Sequence, residues 1–90
     1  MKIGISYDGV FSTDEDTFGE IIAVAKKHGH DVAVVTSRSV KFSKIENIRK
    51  KYGVEVIYTA GYAKARFFKA DVWIDDRPQS VYNDLYGGKQ

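Results

Sequence analysis

Three polar clusters in this sequence each close a short apolar run: Ser6-Tyr7-Asp8-Gly9, Thr36-Ser37-Arg38 and Asp75-Asp76, with Lys64 between the last two. Their side chains suit one kind of chemistry. Asp8, Asp75 and Asp76 are hard oxygen ligands of the type Mg²⁺ takes, one or two carboxylates at a time with several waters retained. Lys64 can neutralise phosphate charge, and the Thr36 hydroxyl can donate to a phosphate oxygen. Each cluster also has a plain structural use. Asp8-Gly9 is a turn signal. Thr36 and Ser37 can cap the segment that follows. Lys64 can sit in solvent, and Asp75-Asp76 before Arg77-Pro78 can be a turn with a surface ion pair. The chemical use requires the elements between them to bring all four to one place.

Those elements alternate. Ile3 to Tyr7 is an apolar run ending at a turn. Phe18, Ile21, Ile22 and Ala25 follow at helical spacing, with Asp14, Glu15 and Asp16 at the start, Lys26, Lys27 and His28 at the end, and Gly29 as the stop. Val32 to Val35 is continuously apolar, as in a strand buried on both faces. Ser43 and Glu46 have capping-box spacing, which starts a second helix at Lys44 that buries Ile45, Ile48 and Tyr52 and ends at Gly53. Val54 to Tyr58 reads as the third strand, Tyr62 to Lys69 as a short third helix, and Val72 to Ile74 as the fourth strand. Gln79 to Leu85 has room for a last helical turn or two. The order β-α-β-α-β-α-β predicts an α/β, Rossmann-like three-layer sandwich: a four-stranded parallel sheet with helices on both faces. Ligands of such sheets bind beyond the carboxyl ends of the strands, where the polar clusters fall.

Composition narrows the alternatives. Ninety residues correspond to one domain, read as 1–86, with 87–90 as a flexible C-terminal tail. With no cysteine, disulfide scaffolds and thiolate zinc sites are excluded, which fits a cytoplasmic setting. The 14 Lys and Arg against 12 Asp and Glu leave a net charge of +2, too small and dispersed to signal nucleic-acid binding. No apolar run approaches the roughly 20 residues of a membrane span. No G-x-G-x-x-G follows the first strand, so the dinucleotide-binding signature is missing.

The chain resembles the haloacid dehalogenase superfamily over Lys2 to Val81. That family opens with a hydrophobic strand and Asp-x-Asp-Gly, here Ser6-Tyr7-Asp8-Gly9. Its second strand ends in Thr or Ser, here Thr36-Ser37-Arg38; its lysine at a helix start is matched by Lys64; its closing acidic pair is matched by Asp75-Asp76. The resemblance implies sheet order 4-1-2-3 with no cap domain, and Mg²⁺-dependent phosphoryl transfer. Ser6 would hold the nucleophile position and Asp8 act as general acid/base. Thr36 and Lys64 would orient and neutralise the phosphoryl group, Gly9, Ser37 and Arg38 would contact it, and Asp8, Asp75 and Asp76 would hold the metal. Arg38 and Arg66 could flank the rim for a second phosphate. Receiver domains of two-component signalling use similar residues but place the acidic pair after the first strand and the acceptor aspartate after the third. Here the third strand runs into Thr59-Ala60.

The departure from the family pattern is Ser6, where active members carry the nucleophilic aspartate. A serine attacks only if a base activates it, and the phosphoserine formed would be a poor intermediate. Three outcomes stay open: a degenerate member that binds Mg²⁺ or a phosphorylated ligand with little turnover; a phosphohydrolase or phosphotransferase using Ser6 or water; and a small interaction domain with a vestigial rim. Without a cap the rim should be open and admit a small or macromolecular phosphate, and the fourth strand should be a sheet edge through which a homodimer could form. Trp73, Tyr82 and Tyr86 are expected to be packing residues, and only one of Phe67 and Phe68 can turn inward.

Overall fold

The computed structural model describes residues 1–41 and 43–85; Phe42, Tyr86 and the expected tail at 87–90 lie outside the described residues. The chain runs β1 (Lys2–Ser6), a 3-10 turn at Phe11–Thr13, α1 (Glu15–Lys27), β2 (Asp31–Thr36), α2 (Ser43–Tyr52), β3 (Glu55–Tyr58), a 3-10 turn at Lys64–Arg66, β4 (Val72–Ile74) and the single turn α3 (Gln79–Tyr82). All strands are parallel, in the order β3-β2-β1-β4. Counted from the β4 edge, the same neighbours read 4-1-2-3. Ile5 lies between Val34 and Ile74, Ser6 beside Val35, and Thr36 beside Tyr58, so the carboxyl ends of the strands share one rim.

Local chemistry explains α1. Asp14 caps it, accepting from the Thr17 amide and hydroxyl, and Glu15 and Asp16 in the first turn face Lys26 and Lys27 in the last along the helix dipole. Helix α2 begins at Ser43 itself, so that serine is the first helical residue rather than the residue before it. Strand alternation sorts the core. Ile5, Val32, Val34 and Val56 meet Ile22 and Ala25 of α1 and Ile45 and Ile48 of α2 on one face. Ala33 and Val35 meet Phe68 on the other, flanked by Ile57, Ala70 and Trp73. Gly4 lies on this second face beside Trp73, and a Cβ there would fall 2.5 Å from the indole ring, so the ring lies where any side chain would be.

The second face corrects an expectation. Tyr62–Lys69 is not a helix; it contains only the 3-10 turn at Lys64–Arg66. Lys64 and Phe68 would share one helix face at i,i+4, about 5.4 Å apart along the axis. Yet the Lys64 ammonium reaches Ser6 at the end of β1, while the Phe68 ring lies under the Lys2 ammonium at its start. Those strand positions are about 13 Å apart at roughly 3.3 Å per residue. A helix cannot serve both ends, and the chain unwinds. The third layer is therefore an irregular segment with short turns. Phe68 is buried and Phe67 exposed, as one inward ring requires. Tyr82 is exposed rather than packed, because a one-turn α3 buries Ser80 and Val81 and turns its next residue outward. No helix among the described residues is long and apolar enough to cross a membrane.

Candidate functional site

Strand alternation puts Ser6 on the second face, with Gly4, and turns Tyr7 into the main core. The Tyr7 amide continues the ladder to the Val35 carbonyl, which holds the chain straight until it bends at Asp8. Gly9 has φ +84°, and the Asp76 carboxylate occupies the space its Cβ would need. Both features require glycine, and together they bring the first and last clusters into contact.

At the centre is Lys64, only 4% exposed. Its ammonium donates to Asp75 Oδ2 at 2.7 Å and to Ser6 Oγ at 3.1 Å. The Asp75 side chain is 2% exposed, so this is a buried ion pair. Asp75 Oδ1 accepts from the Arg77 amide at 2.9 Å. Ser80 Oγ lies 3.5 Å from Asp75 Oδ2, but its hydroxyl points to the Arg77 carbonyl at 2.8 Å. Ser6 Oγ donates to the Asp8 main-chain carbonyl at 3.1 Å.

Asp8 forms the outer half. Thr36 Oγ1 donates to its Oδ2 at 2.9 Å, and the Arg38 guanidinium grips both oxygens, with Nη2 2.7 Å from Oδ1 and Nε at 3.2 and 3.3 Å. The guanidinium also lies 5.7 Å from the centre of the Tyr7 ring. Partial burial pushes the Asp8 carboxyl up, but the hydrogen bonds from Arg38 and Thr36, with the charges of Arg38 and Lys64, together hold it below the ordinary aspartate range. The contribution of Asp8 to stability is present above the unfolded-state value (about 3.9) and is lost as pH falls through the lower folded-state value. A carboxyl NMR titration should find the Asp8 midpoint depressed in the wild type and raised in Arg38→Gln; equal midpoints in the two would refute the guanidinium as its cause.

Ser6, Asp8, Ser37, Lys64, Asp75 and Asp76, with neighbours, line a cavity of about 50 Å³. At 10–15 Å³ for one water-sized group, that admits a few such groups, the scale of one tetrahedral oxyanion and not of a nucleotide. Thr36 and Arg38 sit outside it, on Asp8, and Gly9 lies against Asp76. Arg66 is elsewhere: it pairs with Asp84 at 2.9 Å and lies 5.2 Å from the Tyr62 ring centre. The open depression of about 550 Å³ beside Arg66, Lys69 and Tyr82 contains none of the strand-end residues.

Asp8, Asp75 and Asp76 line one cavity. Among the described residues no group of three or more Asp, Glu or His side chains is placed to hold a metal ion. Asp8 is already held by a guanidinium and Asp75 by an ammonium.

Sequence reasoning missed Ser80 and the Arg77 amide as supports of the rim. The Asp75-to-Arg77 bond is an Asx-turn, a pattern that was open to detection because aspartate commonly binds the amide two residues on. It also missed Thr59, whose buried hydroxyl has no hydrogen-bond partner among the described residues and for which the sequence carries no signal. No family model, characterised relative or solved structure matches this chain.

Proposed function

We propose that this chain is a haloacid-dehalogenase-like binding protein for a phosphoryl group, with little or no hydrolysis of its own. One observation carries the reading: the hydroxyl at the nucleophile position is held but not activated. The Ser6 hydroxyl hydrogen points to a main-chain carbonyl, and the Lys64 ammonium donates onto its oxygen. Neither partner can take a proton. The Asp8 carboxylate has both oxygens engaged by Arg38 and Thr36, and the Asp75 carboxylate has both engaged by Lys64 and the Arg77 amide. What remains is a small polar cavity with a buried ammonium and serine hydroxyls, suited to holding an oxyanion. The phosphoryl group can belong to a small or a macromolecular ligand.

Wild-type protein with a generic aryl phosphate and Mg²⁺ should hydrolyse at close to the background rate, while inorganic phosphate raises its Tm. Turnover at an ordinary enzymatic rate, about 1 s⁻¹ or more, that disappears in Asp8→Asn would instead establish an active phosphohydrolase.

A further inference from the structure

A phosphoryl site lined by carboxylates needs positive charge, and the usual source is a bound divalent cation. Here the chain supplies that charge itself. Both oxygens of Asp8 are engaged by Arg38, one of them also by Thr36, and both oxygens of Asp75 are engaged by Lys64 and the Arg77 amide. A divalent ion could ligate Asp75 only by displacing a buried ammonium, which would leave that ammonium without a counter-charge in a site almost closed to water. It could ligate Asp8 only by displacing a guanidinium held at three contacts. Asp76 alone is one monodentate anchor, and no group of three ligands is assembled among the described residues.

We infer that the site takes its phosphoryl ligand without a divalent metal, with Arg38 as the fixed cation that compensates Asp8 where a metal would otherwise do so. The inference deepens the phosphoryl-binding reading and rests on it. Charge arithmetic supports it. Asp8, Asp75 and Asp76 are balanced by Lys64, Arg38 and Arg77, the last also lining the cavity. An incoming oxyanion therefore meets a neutral site in which Lys64, with three N–H donors, already directs two of them to Ser6 and Asp75. The placement of Arg38 is built rather than incidental. The Arg38 amide donates to Thr36 Oγ1, the Thr36 hydroxyl donates to Asp8, and the guanidinium lies over Tyr7. The turn after β2 thus fixes the arginine and its carboxylate together.

The test is thermal unfolding of the full chain with inorganic phosphate, in EDTA and in MgCl₂. Phosphate should raise the wild-type Tm equally in both, and MgCl₂ alone should leave it unchanged. Arg38→Gln exposes the Asp8 charge to the anion and should weaken phosphate binding in EDTA by about tenfold or more, with MgCl₂ restoring part of the loss; Arg38→Lys should retain most of the wild-type response. A wild-type phosphate shift that appears only with Mg²⁺ overturns the inference and leaves phosphoryl binding intact. So does an Arg38→Gln chain that binds phosphate in EDTA as tightly as wild type. Absence of any phosphate shift in either buffer overturns both readings together.

Discussion

Lys64→Met should lose about 3–5 kcal/mol of folding stability, the cost of removing one partner of a buried ion pair. The methionine roughly keeps the length and packing of the lysine stem, so the loss isolates the charge. It leaves the Asp75 carboxylate, with its side chain 2% exposed, beside Ser80 and the Arg77 amide with no cation in contact. A chain of this size has about 5–14 kcal/mol in total at 0.05–0.15 kcal/mol per residue, so the variant sits near the edge of folding. At 4–8 °C per kcal/mol, the Tm should fall by roughly 12 °C or more. The second variant, Lys64→Met with Asp75→Asn, removes the orphaned charge while keeping an acceptor for the Arg77 amide, and should recover most of the loss. Urea unfolding of the two variants beside wild type decides the matter. A single variant within about 1 kcal/mol of wild type would show that the pair behaves like an exposed one. Arg38→Met is the control: its ion pair with Asp8 is 40% and 46% exposed and falls in the class of 0–1 kcal/mol.

The contrast between the two pairs also marks how far the sequence could be read. The positions of the strand ends were legible because each strand is a short apolar run closed by polar residues, and parallel topology then places those ends on one rim. Ser6, Asp8, Lys64, Asp75 and Asp76 meet there for that reason. Helix α1 was legible from its stripe and its acidic start. The segment before β4 was not, because spacing alone cannot register that Lys64 and Phe68 answer to opposite ends of β1. Nor could spacing assign partners. The residue types in the three clusters suggest carboxylates converging on a cation, but Asp8 finds Arg38 thirty positions along the chain, and Asp75 finds Lys64 eleven positions before it. Side-chain pairing across a rim depends on where each β-to-loop turn aims its residues. The aim of the turn after β2 is set by the Thr36 hydroxyl, which donates to Asp8 and accepts from the Arg38 amide.

On the proposed reading, Ser6→Asp should give a measurable phosphohydrolase in the presence of Mg²⁺, with aryl phosphate turnover at least about 100-fold above wild type. A carboxylate is deprotonated at neutral pH and needs no base, which removes the defect at Ser6. Its oxygen attacks phosphorus, an acyl phosphate forms, and the aryl oxide leaves; water then cleaves the acyl phosphate and returns the carboxylate. The aryl ester matters, because Asp8 is held in its ionised form and makes a poor acid. General acid catalysis, worth about 10²–10⁴, is therefore not required of it. The substitution also tips the charge balance. Position 6 sits 3.1 Å from the Lys64 ammonium, so a carboxylate there shares that ammonium with Asp75 and leaves the rim one negative charge in excess. Such an excess favours a divalent cation. MgCl₂ alone should therefore raise the Tm of Ser6→Asp while leaving wild type unmoved. A Ser6→Asp chain that is folded by circular dichroism and stabilised by phosphate, yet no faster than wild type, would mean that the missing carboxylate is not what silences this site.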